Sequence, residues 1–264
     1  MSSLRWIGVF LLLVAVLSAG IATGTSAAMA RDVVTVGGYA FPPYVELASD
    51  GGATGLTPEV IQELNRVQER YEFRFVLTTP TRRYQDFQAG RFDAILFEMP
   101  EWGWRAHGVA VDVSEQIATD GEVYVAATAP GRDEGYFDTL ATRRIAAILG
   151  YNYGFTGYRN DPTELRRRFD IALVNDHAAT IELVVRGRVD IGVVTESYLG
   201  RHLSEHPAER DRLLISQRRD QVYSLRVLAR PGMAPSADDI AGMLEAAGRA
   251  GRLGALWARH GLVR

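Results

Sequence analysis

The 264-residue chain contains no cysteine and no lysine. Without cysteine there can be no disulfide, thiolate metal site, cysteine nucleophile or lipid-modified N-terminal cysteine. Without lysine, all 29 basic residues are arginine, a compositional habit from which no function follows by itself. The chain has no Gly-x-Ser-x-Gly turn, phosphate loop or dinucleotide fingerprint, so those enzyme classes have no support. Its five histidines are scattered, and "HLSEH" (202–206) lacks the His-Glu-x-x-His order, so no metal and no cofactor are expected. A net charge of −3 gives no whole-chain attraction to nucleic acid or membrane. At 47% hydrophobic and 23% charged residues the composition is that of a globular protein, long enough for one large domain or two lobes.

The N-terminus carries an address. Arg5 precedes the apolar run "WIGVFLLLVAVLSA", after which small residues lead to Ala28-Met29-Ala30. A spanning helix needs about 20 apolar residues. This shorter run with a small-x-small site is expected to be a secretory signal peptide over residues 1–30, cut after Ala30. Retention as an N-terminal anchor is the alternative, and either one puts the folded part outside the cytoplasm. Removing residues 1–30 takes away one arginine and no acid, leaving 28 basic against 32 acidic residues, a net −4.

Strands and helices then alternate, which predicts crossovers and a mostly parallel sheet. "VVTVGG" (33–38) reads as a strand. Thr57-Pro58-Glu59 reads as a helix start with Thr57 as N-cap, and the helix is expected to run to Arg70. "YEFRFVL" (71–77) is a strand, "RRYQDFQA" a short helix and "AILF" a strand. After "EVYVAA" (122–127) a second series begins at "RRIAAIL" (143–149). It continues through helix 162–169, strand "IALV", helix 178–186 and strand "IGVV" (191–194). "VYSLRVLA" (222–229) is a further strand, and two helices close the chain.

One feature recurs. "GRFDAILFEM" begins at Gly90 and "GRVDIGVVTE" at Gly187, each after a strand-and-helix pair. Asp93 and Asp190 in these turns are read as structural, accepting backbone N–H bonds where the chain enters a strand.

These landmarks together resemble the type 2 periplasmic solute-binding proteins, in the amino acid-binding branch. "VGGYAFPPYVE" is similar to that family's opening strand and aromatic-Pro-Pro-aromatic segment. "GLTPEVIQELN" is similar to its Gly-led first helix, "FQAGRFDAILF" and "VVRGRVDIGVV" to its two Gly-basic-x-Asp turns, and "AGRLGALWARHG" to its terminal helix. The resemblance implies a two-lobed α/β fold of the periplasmic-binding-protein type II, with two hinge strands, "EVYVAA" and "QVYSLRVLA". Lobe 1 would comprise residues 31–123 and 228–264, and lobe 2 residues 124–227.

It also implies where a ligand would sit. Arg105, twelve residues after Asp93, falls where the family grips an α-carboxylate, a task suited to the planar guanidinium. Glu98 ends a strand and could receive an amine or guanidinium. Trp102 replaces a family hydroxyl and could wall the cleft. Tyr39 and Phe41 lie just past the first strand, where α/β sheets bind ligands. In lobe 2, "GYNYGF" (150–155) follows a strand and is expected to open a helix whose N–H groups cap a ligand anion, with Tyr151 and Asn152 in contact. Thr195 stands where the family has an amine-binding Asp, with Glu196 next to it. Either Glu196 substitutes, or the ligand is not an α-amino acid.

The expected function is periplasmic capture of a small polar, amino acid-like ligand for ABC-type uptake. The protein would be a non-enzymatic monomer working with a membrane permease or receptor and binding no nucleic acid. Two alternatives stay open. One is a secreted cyclohexadienyl dehydratase-like enzyme with Glu98 or Glu196 as the acid; the other is an extracytoplasmic sensing module.

Overall fold

The alternating pattern folds as one eight-stranded mixed sheet in the computed structural model, which describes residues 31–262. The expected signal peptide lies outside the described residues. In chain order the first half contains β1 (Asp32–Gly38), β2 (Glu46–Leu47), β3 (Ala53–Thr54) and α1 (Leu56–Val67), then β4 (Tyr71–Leu77), α2 (Arg83–Gln88) and β5 (Ala94–Glu98). The long strand β6 (Asp112–Ala127) leads out of it. The second half contains β7 (Ile145–Ile148), α3 (Pro162–Arg168), β8 (Ile171–Val174), α4 (His177–Val185), β9 (Ile191–Thr195) and α5 (Glu196–Glu205). The chain returns along β10 (Leu213–Ala229) and ends in α6 (Ala237–Arg249) and α7 (Gly254–Arg259).

Strand order is β4-β1-β5-β10-β6-β9-β7-β8. Within each half the pairs β4/β1/β5 and β9/β7/β8 are parallel, as crossover connections require. The two halves are joined by β6 and β10, antiparallel from Leu213↔Ala127 to Ala229↔Asp112. One end of β10 pairs with β5, and the end of β6 around Glu122↔Thr195 pairs with β9. Both hinges therefore run through the lobe junction. They are longer than the apolar pattern suggested, because "DVSEQIATDG" extends β6 along "VYSLRVLA" and "LLISQRRDQ" extends β10 along "EVYVAA", with many of their polar residues exposed. These polar extensions bury few of their own residues, so they leave no alternation of apolar residues to read.

The expected Thr57 cap gives way to Gly55, and α1 stops at Val67, short of Arg70. Thr57 is the second residue of the helix and is buried, with its hydroxyl unpartnered. The buried stripe Leu56, Val60, Ile61 and Leu64 keeps helical spacing and packs α1 onto the sheet. Among the described residues no helix is long and apolar enough to cross a membrane.

The repeated turn does one job twice. Gly90 and Gly187 take φ of 75° and 63°, a left-handed conformation that costs a side-chain-bearing residue about 1 kcal/mol. Asp93 follows and clamps β1. Its N–H donates to the Thr35 carbonyl at 2.8 Å, and its carboxylate accepts the Thr35 N–H at 2.9 Å and hydroxyl at 2.6 Å. Asp190 clamps the chain entering β7 in the same way, donating to the Arg144 carbonyl at 2.8 Å and accepting its N–H at 2.8 Å.

Candidate ligand cleft

At the carboxyl ends of the strands, where the halves meet, the chain places an aromatic box around polar groups. Phe41 is at its centre. Its ring centroid lies 5.5 Å from Trp102, 5.7 Å from Tyr151 and 5.9 Å from Tyr223, all in edge-on contact. Tyr39 stacks on it at 5.9 Å. Edge-on and offset ring contacts of this kind add attraction beyond the area they bury.

Inside the box, Glu98 and Arg83 form an ion pair with both side chains 1% exposed. Arg83 Nε donates to Glu98 Oε1 at 3.1 Å, and Trp104 Nε1 donates to the same oxygen at 3.0 Å. The Tyr39 hydroxyl donates to Glu98 Oε2 at 3.0 Å. Burial pushes the Glu98 carboxyl above its ordinary range, and Arg83 with these donors pulls it back. Burial disfavours the charge on Arg83, but the facing Glu98 more than offsets this and holds the guanidinium firmly protonated.

The second half contributes Tyr151 and Asn152. The Tyr151 hydroxyl reaches across to the Ala40 carbonyl at 2.8 Å, and Asn152 Oδ1 accepts from Arg83 Nη2 at 3.2 Å. Gln221, on β10, ties the remaining parts together. Its Oε1 accepts the Trp102 indole N–H at 3.1 Å, and its Nε2 donates to Glu122 at 2.6 Å and to the Asn152 carbonyl at 2.7 Å. Burial, with Asp220 nearby, raises the Glu122 carboxyl well above the usual range.

A second polar cluster pins the hinge. Asp120 accepts the Tyr44 hydroxyl at 2.8 Å, the Ser197 hydroxyl at 2.5 Å and the Ser197 N–H at 3.2 Å. The cluster ties the halves together, because Tyr44 and Ser197 come from opposite halves.

Of the nine residues read from the sequence, the fold brings six together: Tyr39, Phe41, Glu98, Trp102, Tyr151 and Asn152. Three stand apart. Arg105 is exposed and lines an open hollow of about 750 Å³ with Pro100, Glu101, Gly103 and Ala106. Thr195 is buried against His177 Nε2 at 2.9 Å. Glu196 is half exposed and holds Arg219 through two bonds, at 2.7 and 3.1 Å.

The segment "GYNYGF" opens no helix, since the next one starts at Pro162. Its free N–H groups do meet an anion, but an internal one. Gly154 and Phe155 donate to the Asp220 carboxylate at 2.6 and 2.8 Å, and the Tyr124 hydroxyl donates to it at 2.5 Å.

The sequence reading missed Arg83, Asp120, Glu122, Asp220 and Gln221. Nothing in "TRRY" distinguishes the exposed Arg82 from the buried Arg83. Asp120 and Asp220 sit in polar stretches just outside the expected hinge strands, and Glu122 and Gln221 begin those strands, where nothing in the pattern marks them as buried.

No family model matches the chain, and no curated protein is similar enough to be matched. Solved structures do match. A mutant of ArgBP from T. maritima is 18% identical over 86% of this chain and 94% of its own, with a TM-score of 0.64. An ABC uptake transporter substrate binding protein from Streptococcus pneumoniae, with bound histidine, is 13% identical over 86% and 91%, with a TM-score of 0.66. AncCDT-1, an ancestral amino acid-binding protein and precursor of cyclohexadienyl dehydratase, is 18% identical over 86% and 94%, with a TM-score of 0.65. Together with the sheet order and paired hinge strands, these likenesses show a two-lobed α/β fold of the periplasmic-binding-protein type II.

Proposed function

We propose that this chain is a secreted, periplasmic binding protein that closes its lobes on a small polar, amino acid-like ligand and delivers it to an ABC-type importer. The observation that carries this reading is the convergence of Arg83, Glu98, Asn152 and Gln221, from both halves and the hinge, in one aromatic-walled polar cluster. A ligand cation suits Glu98 and the rings of Tyr39 and Phe41. The solved relatives with amino acid ligands or transporter roles in their descriptions support it. The lobes would be residues 31–123 with 228–264, and residues 124–227. The protein would act as a monomer that presents its closed shape to a membrane permease or receptor. Arg105, Thr195 and Glu196 take the outer roles in this reading, at the rim and beside the hinge.

Calorimetry of residues 31–264 against a panel of amino acids and organic amines tests it. One or more saturable bindings are expected. No binding across the panel, together with an unshifted thermal midpoint, contradicts the amino acid reading.

A second reading has one observation in its favour. Glu98 is buried among aromatics with a raised carboxyl, the setting of a general acid for elimination. Glu196, half exposed and paired with Arg219, has no such setting. Release of phenylpyruvate or phenylalanine on incubation with prephenate or arogenate would establish this activity, and the absence of turnover would remove it.

A further inference from the structure

Arg83 is the only buried arginine among the described residues, and its surroundings fit the whole guanidinium rather than its charge alone. Four of its five N–H hydrogens have acceptors. Nε meets Glu98 Oε1, Nη1 donates to the Pro80 carbonyl, and Nη2 donates to the Trp102 carbonyl at 3.0 Å and to Asn152 Oδ1 at 3.2 Å. The carbon at the centre of the fork lies 4.8 Å from the ring centroid of Tyr39 and 4.3 Å from that of Tyr84. The acceptors come from four separate segments: the loop before α2, the end of β5, the loop after it, and the second lobe.

An ordinary buried ion pair requires only the carboxylate. Here two backbone carbonyls, an amide oxygen and two rings also converge on a planar, five-donor cation. An ammonium of the same charge would match the carboxylate but not this edge-on array. Asn152 belongs to the opposite lobe, so the contact also ties lobe closure to occupancy of the array.

We propose that this array is a guanidinium site which the chain occupies with its own Arg83 as a tethered ligand, and that the vacated site takes a free guanidinium in preference to an ammonium. The inference holds whether or not the cleft serves uptake. In the wild-type protein a competing ligand must lift Arg83 out of the array, so Arg83 sets the threshold for entry to the cleft.

The test is Arg83→Ala titrated with ethylguanidinium and, separately, ethylammonium, by calorimetry and thermal midpoint. The variant is expected to bind ethylguanidinium saturably and to gain thermal stability from it. The wild type, whose site is filled, shows no such gain. Ethylammonium is expected to bind the variant at least about ten-fold more weakly. Should Arg83→Ala not fold unaided, recovery of folded protein on refolding with ethylguanidinium and not with ethylammonium is the same positive result. Indifference of the variant to both cations, or equal responses to both, overturns the proposal. Failure of the uptake reading shows elsewhere, as wild-type protein that binds nothing in the amino acid panel.

Discussion

The two halves of the molecule carry the same device at the same place and use it differently. In each, a strand leads to a helix whose first residue is buried and polar, Arg83 on α2 and His177 on α4. Each of these reaches the last residue of the following strand, Glu98 on β5 and Thr195 on β9. Those two residues each lie five positions after the Asp of the repeated turn. In the first half the pair is charged and faces the aromatic box. In the second it is neutral: burial lowers the pKa of His177 to about 3 from 6.5. One scaffold thus carries an ionic anchor in one lobe and a neutral spacer in the other. The duplicated turn is architecture, and the chemistry lies where the copies diverge.

Breaking the charged pair has the largest expected effect. Arg83→Met leaves Glu98 buried without its cation and should lower unfolding stability by about 3–5 kcal/mol, measured by chemical denaturation. Adding Glu98→Gln should recover part of the loss. A double variant as unstable as the sum of the singles would mean that the residues do not act as a pair.

The neutral pair sharpens the contrast through pH. The folded-state pKa of His177 is depressed, so its contribution is intact above about pH 6.5 and is lost as pH falls toward 3. The loss approaches about 4 kcal/mol at the low end. Stability measured against pH should fall less steeply over that window for His177→Gln than for the wild type. Parallel curves would contradict a buried neutral histidine.

The shared turn gives the smallest effect and should behave alike in both halves. Asp93→Ala and Asp190→Ala each remove acceptors from a neighbouring strand and should cost about 1–3 kcal/mol. Asp93 should cost more. Its second partner, the Thr35 hydroxyl, is at 2.6 Å, whereas the Tyr136 hydroxyl stands 3.2 Å from Asp190. Denaturation midpoints rank the two.

Much of this was legible in the sequence. Strands β4 and β8 appear at their expected residues because Tyr71–Leu77 alternates strictly and "IALV" is a short apolar run between helices. The aromatic wall was legible too, since Tyr39, Phe41 and Trp102 follow strand ends, where α/β sheets gather ligands. The hinge strands beyond their apolar parts were not, because each polar extension pairs with the other strand's apolar part and carries no hydrophobic period of its own. Arg83 was not legible either, because only tertiary packing separates it from its exposed neighbour Arg82. The expected anion cap at "GYNYGF" fails for a related reason. The anion those N–H groups receive, Asp220, is 66 residues from Gly154 in the chain.

The most direct test of the cleft is a comparison of affinities across four variants. Trp102→Ala and Tyr151→Ala remove walls from opposite lobes, Glu98→Gln removes the central acceptor, and Arg105→Ala removes the exposed arginine at the rim. Calorimetry with L-arginine and L-histidine as probes should show binding to the wild type. The first three variants should weaken that binding by at least about ten-fold, with Arg105→Ala within about three-fold of wild type. Loss of binding in Arg105→Ala, with the other three unaffected, would place the ligand in the rim hollow and contradict the assignment of the cleft.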